Sequence, residues 1–255
     1  MNGPHNPIGY CDFSWNFLTG CLNDCRYCYG RKLAYGRLKP LYLNNSHVLA
    51  GDPADPYAIR WWPQRLEEPC RRARPSKIFA VDMGDLFGDQ VPEQCREDGL
   101  KIVRACPHHT FIFLTKYPWN LKTEEWPENA WVGVTATHNS MAEMALYHLE
   151  KVKASVRFIS AEPLLQSLEN GSRRSFLKRM FKVINWVVIG AQTSPYRPPS
   201  TRWVDEIVRE ARQAGVPVFQ KDNLLDALTV PPGKPPLIQE FPCYNGPEVR
   251  HREER

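Results

Sequence analysis

The sequence predicts an α/β protein built around a parallel sheet, and two observations support this fold class. From residue 77 onward, short apolar segments rich in β-branched and aromatic residues alternate with segments of helical periodicity. The predicted strands are also so apolar that at least one face of the sheet must be covered, as in sheets flanked by helices. Alternation alone leaves open whether such a sheet is open or curled into a barrel.

About seven strands are predicted, with helices or crossovers between them. The strands are predicted at 10–18, 77–82, 110–115, 130–136, 156–161, 186–190 and 216–220. Helices are predicted at 92–106, 139–153 and 201–214. Pro92 at the start of the first helix, Thr201 as the N-cap of the third and Gly215 as its end are typical helix boundary signals.

The 255 residues fit one globular domain with an appended arm. The domain is predicted at 1–228 and contains a long excursion at 38–76, which has no clear period apart from one predicted helix around Ala58 to Arg71. Residues 229–255 are rich in proline and predict an extended arm over the barrel or a partly disordered tail.

Composition indicates a cytoplasmic protein that does not span a membrane. The chain has no apolar run of about 20 residues and no signal-peptide pattern. Eight cysteines in such a chain are expected to be thiols or metal ligands, because a reducing compartment keeps disulfides open.

The formal net charge of +5 is mild, but basic residues form two clusters along the chain. These are Arg71, Arg72 and Arg74, and Arg173, Arg174, Lys178, Arg179 and Lys182. Basic clusters contact phosphates in nucleic-acid-binding proteins, although a solvated basic face is the commoner use. Four tryptophans offer the same choice between stacking on bases and filling gaps between helices and barrel: Trp61, Trp62, Trp119 and Trp126.

Three cysteines, Cys21, Cys25 and Cys28, lie within one short segment directly after the first predicted strand. Soft thiolates select zinc, copper(I) or iron–sulfur clusters. Structural zinc takes four protein ligands, and the sequence offers no second pair of ligands with zinc spacing. A [4Fe–4S] cluster with three cysteine ligands and one open iron is therefore favoured, with structural zinc and ordinary buried thiols as the alternatives.

The spacing Cys-x-x-x-Cys-x-aromatic-Cys, with Tyr27 at the aromatic position, resembles the signature of the radical S-adenosylmethionine (SAM) superfamily. Further segments resemble a phage and bacterial family of that superfamily, distantly similar to spore photoproduct lyase. The segments lie at 14–21, 83–87, 131–135, 157–164 and 185–190. The resemblance covers about residues 10–221 and implies a partial or near-complete parallel (β/α) barrel. In place of that family's Gly-Glu-Ser-Gly, this chain has 191–194 as Ala-Gln-Thr-Ser, without the carboxylate.

The resemblance implies an enzyme that uses a [4Fe–4S] cluster and SAM. In that superfamily the reduced cluster cleaves SAM to a 5′-deoxyadenosyl radical, which abstracts hydrogen from a substrate. An electron donor such as flavodoxin or ferredoxin is then required. The first predicted substrate is a nucleic-acid base or nucleotide; the alternatives are a peptide or small metabolite, or a non-enzymatic zinc or iron–sulfur binding protein.

Polar residues at the carboxyl ends of barrel strands are the candidates for cofactor binding. By the resemblance, residues 82–85 contact the methionine amino group, and residues after the later strands contact the ribose. The predicted cofactor-binding residues are Tyr27, Met83, Asp85, Thr135, Ser160, Glu162 and Gln192. Capping and pairing at the barrel rim are the alternative roles, and Cys243 is a further candidate, as a hydrogen-atom donor to a substrate radical.

Overall fold

The computed structural model describes residues 1, 8–121, 126–169, 175–225 and 237–243. In chain order, the strands are β1 Phe13–Trp15, β2 Leu18–Thr19, β3 Val48–Ala50, β4 Ile59–Trp61, β5 Lys77–Ala80, β6 Thr110–Thr115, β7 Ala130–Thr135, β8 Val156–Ala161, β9 Trp186–Ile189, β10 Gln192–Thr193, β11 Tyr196–Arg197 and β12 Val218–Gln220. The α-helices are α1 Tyr29–Tyr35, α2 Lys39–Leu43, α3 Glu93–Ala105, α4 Asn139–Leu149, α5 Phe176–Met180 and α6 Thr201–Gln213.

The main sheet has seven strands and confirms the predicted fold class. Its order is β1-β5-β6-β7-β8-β9-β12, and each neighbouring pair is parallel. The sheet is curled into a half-barrel with helices on its outer face. All carboxyl ends of these strands therefore meet at one end of the half-barrel, where ligands bind in such folds.

Inward-facing side chains fill the part of the half-barrel that lies away from the carboxyl ends of the strands. They form an apolar cluster dominated by aromatic rings, including Tyr10, Phe79, Trp131, Phe158 and Trp186. Because side chains alternate between the two faces of a strand, their neighbours pack outward against the helices. These side chains fill the amino-terminal part of the interior, and its cavity lies toward the carboxyl ends of the strands.

The two edge strands, β1 and β12, are not paired with each other within the described residues. Aromatic packing closes the gap instead, because the ring of Tyr10 lies 5.6 Å from that of Phe219 and 5.4 Å from that of Trp186. The described part of the C-terminal arm, 237–243, runs antiparallel along β12, with the Gln220 N–H donating to the Ile238 carbonyl. The rest of the predicted arm and its boundary at 228 lie outside the described residues.

The prediction of a helix around Ala58 to Arg71 is wrong. Ile59–Trp61 is a strand that pairs antiparallel with β2 and β3, and two 3-10 turns at Pro63–Arg65 and Pro69–Arg71 follow it. Both turns begin at a proline, which has no N–H to continue an α-helix. Arg60 is fully buried here and donates to backbone carbonyls of the excursion, including those of Asp55 and Pro53 at 2.7 Å.

Two smaller corrections concern element ends. The helix predicted to start from Thr201 as N-cap has Ser200 at that position, and Thr201 is its first helical residue. The last strand begins at Val218 rather than at 216. No helix within the described ranges combines the length and hydropathy needed to cross a membrane.

Candidate active site at the carboxyl ends of the strands

A cavity of about 940 Å³ lies at the carboxyl ends of the main sheet. The segment from β2 through α2 forms one side of it, and residues that follow the parallel strands form another. Tyr57, Arg65 and Glu68 of the excursion also line it. The polar residues after those strands that line it are Asp82, Asp85, Lys116, Thr135, Glu162, Gln192 and Lys221.

All three cysteines of the motif line this cavity and are half-buried. Gly20 fixes the start of their loop, because its N–H donates to the carbonyl of Met83 at 2.9 Å while the Cys21 N–H donates to that of Tyr57 at 3.3 Å. Gly20 has φ +88°, and a Cβ there would lie 2.1 Å from the carbonyl oxygen of Ala58. Only glycine meets both conditions.

Cys21 and Cys28 accept hydrogen bonds from nearby backbone, and the pKa values of Cys21 and Cys25 are raised. The Asn23 N–H donates to the Cys21 sulfur at 3.4 Å, and the Arg31 N–H donates to the Cys28 sulfur at 3.3 Å. Burial raises the pKa of Cys21 to about 12 and also raises the pKa of Cys25. These two thiols are therefore protonated at neutral pH unless a positive metal centre compensates the thiolates.

The donor set fits a cluster with three thiolate ligands. Among the described residues, no group of three or more His, Cys, Asp or Glu side chains converges closely enough to hold a single metal ion. A cubane needs no such convergence, because each of three irons takes its own thiolate and one iron remains open. The three cysteines line the cavity, so a cluster held by them would face its interior.

The loop after β5 is held by strained backbone and short hydrogen bonds. Val81 has φ +61°, which is rare for a β-branched residue and costs about 1–3 kcal/mol. The next residue, Asp82, accepts from Asn16 Nδ2 at 2.5 Å on its carboxylate and from the Tyr29 hydroxyl at 2.6 Å on its backbone carbonyl. Burial raises the pKa of Asp82, and the hydrogen bond from Asn16 opposes that shift.

Met83 and Asp85 line the cavity, but each has a clear structural role. The Met83 side chain packs in a small cluster with Tyr42, Tyr57 and Trp62. The Asp85 carboxylate accepts from the Thr115 hydroxyl at 2.7 Å and from the Lys116 N–H at 2.9 Å, which joins the ends of β5 and β6. Burial raises the pKa of Asp85. Cofactor contact by either residue stays a prediction.

Thr135 and Ser160 lie on the inner face of the half-barrel. Thr135 lines the cavity, whereas Ser160 is fully buried and is not part of the cavity surface. The Ser160 hydroxyl has no hydrogen-bond partner among the described residues. Buried hydroxyls are nearly always paired, so an unpaired one between the aromatic cluster and Glu162 indicates a missing polar partner.

Glu162 and Lys221 form an ion pair of 2.6 Å across the cavity wall, with side chains 21% and 13% exposed. Gly190 makes room for this arrangement, because a Cβ there would lie 2.9 Å from the Glu162 side chain. Gln192 also lines the cavity, but its amide donates to the Pro195 carbonyl at 2.8 Å. Glu162 and Gln192, which were selected because they follow strands, therefore do line the cavity. Their part in cofactor binding stays a prediction.

Tyr27 is half-buried and lines the cavity beside the cysteines. Burial raises its pKa to about 12, so its hydroxyl is protonated at neutral pH. Lys116 Nζ lies 6.0 Å from the Tyr27 ring centroid. Cys243 is exposed and does not line the cavity, which disfavours its proposed role as hydrogen donor.

The described members of the two basic clusters do not line the cavity. Arg71, Arg72 and Arg74 precede β5 and lie at the amino end of the sheet. Lys178, Arg179 and Lys182 are exposed on and after α5, and Arg173 and Arg174 lie outside the described residues. Of the four tryptophans, Trp62 and Trp126 are buried, Trp61 is half-buried and Trp119 is exposed.

Sequence reasoning missed the basic rim of the cavity, defined here as residues 26–39. It contains five lysine and arginine residues, and no Asp or Glu occurs between Asp24 and Asp52. The five are Arg26, Arg31, Lys32, Arg37 and Lys39. The long interval without acidic residues was a visible signal, but only the fold shows that it borders the site.

A family model described as protein of unknown function (DUF5131) matches residues 5–223. The chain belongs to the DUF5131 family. No curated protein matches this DUF5131 chain by sequence.

Solved structures of spore photoproduct lyase share the fold of this DUF5131 protein. A cysteine-to-serine variant is 12% identical over 87% of this chain and 79% of that chain, with a TM-score of 0.53. A tyrosine-to-phenylalanine variant is 12% identical over 82% and 75%, with a TM-score of 0.52. A cysteine-to-alanine variant with dinucleoside spore photoproduct is 11% identical over 82% and 75%, with a TM-score of 0.51. At these identities the likeness concerns the fold alone.

Proposed function

We propose that this DUF5131 protein is a radical SAM enzyme. The observation that carries the proposal is the meeting of three motif cysteines, Cys21, Cys25 and Cys28, on one cavity at the carboxyl ends of a parallel half-barrel. The unpaired hydroxyl of Ser160 adds support, because it lacks a polar partner near that cavity. The shared fold with spore photoproduct lyase, a member of that superfamily, supports the proposal at the level of fold.

The residues of the chain have separate tasks under this proposal. When bound, a [4Fe–4S] cluster and SAM supply a 5′-deoxyadenosyl radical for hydrogen abstraction. Cys21, Cys25 and Cys28 hold the cluster, and the residues proposed to bind SAM are Tyr27, Met83, Asp85, Thr135, Ser160, Glu162 and Gln192. The aromatic cluster below the cavity excludes water from its floor. The sequence contains a single tight cysteine motif and therefore no second group of ligands for a cluster that could deliver the electron. The electron is proposed to come from a separate donor such as flavodoxin or ferredoxin.

Anaerobic reconstitution with iron and sulfide tests this function. The protein is expected to bind about four irons per chain, as one cubane requires, and to form 5′-deoxyadenosine from SAM with dithionite. Cys25→Ala should lose both properties, while Cys243→Ala, a change at an exposed cysteine away from the cavity, should keep them. A colourless protein that binds zinc and leaves SAM intact would instead favour a non-enzymatic binding protein.

A nucleic-acid base or nucleotide is the proposed substrate, and the basic rim supports this choice. Arg37 lines the cavity, and the other four cations flank it in the chain, with Arg31 3.8 Å from Asp24. Exposed Tyr29 and Tyr35 lie among these cations. Cations interleaved with aromatic side chains are typical of single-strand binding surfaces.

Salt-dependent binding of a labelled single-stranded oligonucleotide tests the substrate class. The triple variant Arg26→Glu/Lys32→Glu/Lys39→Glu should weaken binding and reduce the slope of log affinity against log salt by about 2. The matched variant Lys178→Glu/Arg179→Glu/Lys182→Glu, on exposed residues away from the cavity, should behave like the wild type. Absence of binding at low salt would contradict this substrate and favour a peptide or small metabolite.

A further inference from the structure

Two cysteines outside the candidate active site lie in contact with each other. The sulfurs of Cys70 and Cys106 are 3.0 Å apart, although the residues are separated by 36 positions in the chain. Cys70 lies in the 3-10 turn Pro69–Arg71 and is exposed, whereas Cys106 follows α3 and is buried. The pair lies at the amino end of the sheet, opposite the cavity with the three motif cysteines.

Hydrogen bonds hold both segments that carry the pair. His109 Nε2 lies 3.1 Å from the carbonyl oxygen of Pro69, next to Cys70. The side-chain amide of Asn129 donates to the carbonyls of Val103, Cys106 and His109 at 3.0–3.1 Å. These contacts fix the turn after α3 and hold it close to the turn that carries Cys70, which brings the two sulfurs within 3.0 Å.

We propose that Cys70 and Cys106 are a reversible redox modification site, in which reaction with a peroxide converts the two thiols to a disulfide. A disulfide is about 2.05 Å long, so a contact of 3.0 Å needs only a small movement of the two side chains. The Cys70 thiolate attacks peroxide, the O–O bond breaks, and a sulfenic acid forms on Cys70. The Cys106 sulfur then attacks Cys70 and releases water. The net reaction oxidises two thiols to one disulfide and reduces one hydrogen peroxide to two waters.

The order of attack follows from access to solvent. Cys70 is exposed to a soluble oxidant, whereas burial raises the pKa of Cys106 to about 12 and keeps it a thiol until Cys70 has reacted. The exposed position of Cys70 also allows dithiol reductants to reach the closed bond, so the modification is reversible.

Closure of this bond would tie together the two ends of one strand–helix unit. Cys70 precedes β5, Cys106 follows α3, and the closed loop contains Asp82 and Asp85 at the cavity. The cross-link would therefore restrain the segment that presents these two carboxylates. The inference does not depend on the proposed radical chemistry.

Peptide mapping after peroxide treatment tests the proposal directly. Cys70 and Cys106 fall in the tryptic peptides 66–71 and 105–116, each of which contains one cysteine. Hydrogen peroxide should convert these to a single cross-linked peptide, and dithiothreitol should release both. The cross-linked protein should melt about 5–10 °C higher than the reduced protein, because the bond closes a loop of 36 residues.

Two serine variants provide the controls. Cys70→Ser changes an exposed residue and should abolish both the linked peptide and the shift in melting temperature, while Cys243→Ser, also at an exposed cysteine, should leave both intact. Because these measurements use protein without a cluster, they are independent of SAM cleavage. Oxidation of Cys70 to a sulfinic acid with Cys106 still reduced, or linkage of Cys70 to another chain, would overturn the proposal.

Discussion

Replacing Gly20 by alanine should displace the cysteine loop. Gly20 lies directly before Cys21, forms a parallel bridge with Gly84 and donates its N–H to Met83. Its φ is +88°, and a Cβ would lie 2.1 Å from the Ala58 oxygen, a distance that real Cβ contacts do not reach. Because the obstructing atoms belong to the backbone of Tyr57 and Ala58, in the turn before β4, no side-chain rotation relieves the contact.

The expected cost combines two effects. Alanine at positive φ loses about 1–2 kcal/mol relative to glycine. Moving the loop by about 1 Å to restore a contact of 3.0 Å disrupts one or both backbone hydrogen bonds at Gly20 and Cys21, each of which contributes about 1 kcal/mol. The sum is about 2–4 kcal/mol, which lowers the melting temperature of a domain of this size by about 10 °C.

Gly215→Ala is the matched control for this experiment. Gly215 also has positive φ, +68°, but a Cβ there would have no neighbour within 4 Å, so Gly215→Ala loses only the conformational part, about 1–2 kcal/mol. Melting followed by circular dichroism on cluster-free protein measures both variants, and iron content after reconstitution measures the loop. Equal melting temperatures for the two variants, with unchanged iron in Gly20→Ala, would refute the steric argument.

Three further changes have defined outcomes. Ser160→Ala removes an unpaired buried hydroxyl, so the melting temperature should stay or rise, while SAM affinity measured by calorimetry should fall about 5-fold; unchanged affinity would remove Ser160 from the site. Lys221→Met leaves the Glu162 carboxylate unpaired and should cost about 1–3 kcal/mol in urea unfolding, which the double variant with Glu162→Gln should largely recover; additive losses would contradict this coupling. Burial raises the pKa of Asp82, so its contribution to stability is lost as pH rises from about 4 through the folded-state pKa. The melting temperature of Asp82→Asn should accordingly decrease less than that of the wild type between about pH 4 and 7. The same pH profile in both proteins would contradict a raised pKa of Asp82.

The sequence was most informative where a strand is apolar over its whole length. The strands Thr110–Thr115 and Val156–Ala161 have the predicted bounds, because continuous apolar segments flanked by polar turns have only one way to be buried. The helix predicted to Lys153 ends at Leu149 instead. Its apolar period continues past the last helical turn because Val152 is buried without being helical.

The excursion at 38–76 was not predictable, because its order comes from tertiary contacts. Arg60 is buried because its guanidinium donates to backbone carbonyls 2 to 15 positions earlier in the chain, and no sequence pattern marks such a buried arginine. The helix α1 was also missed, since its seven residues carry no clear apolar stripe.

Within the candidate site, the types of residue were predictable from the sequence, but their hydrogen-bond and ion-pair partners were not. The strand-end rule selected Asp85 and Glu162, but it did not indicate that Asp85 accepts from Thr115 or that Glu162 pairs with Lys221. The hydrogen bond between Tyr29 and Asp82 joins residues 53 positions apart, so only the fold brings them together.

Because β1 and β12 are not paired with each other within the described residues, backbone geometry does not fix the width of the half-barrel interior. In a closed barrel, strand number and stagger determine the diameter. Here the last gap is filled by rings, with Tyr10 in contact with Phe219 and Trp186. Shortening the Tyr10 side chain would therefore enlarge the interior without breaking any strand ladder. The gap between β1 and β12 is therefore the natural place to engineer this fold for bulkier ligands.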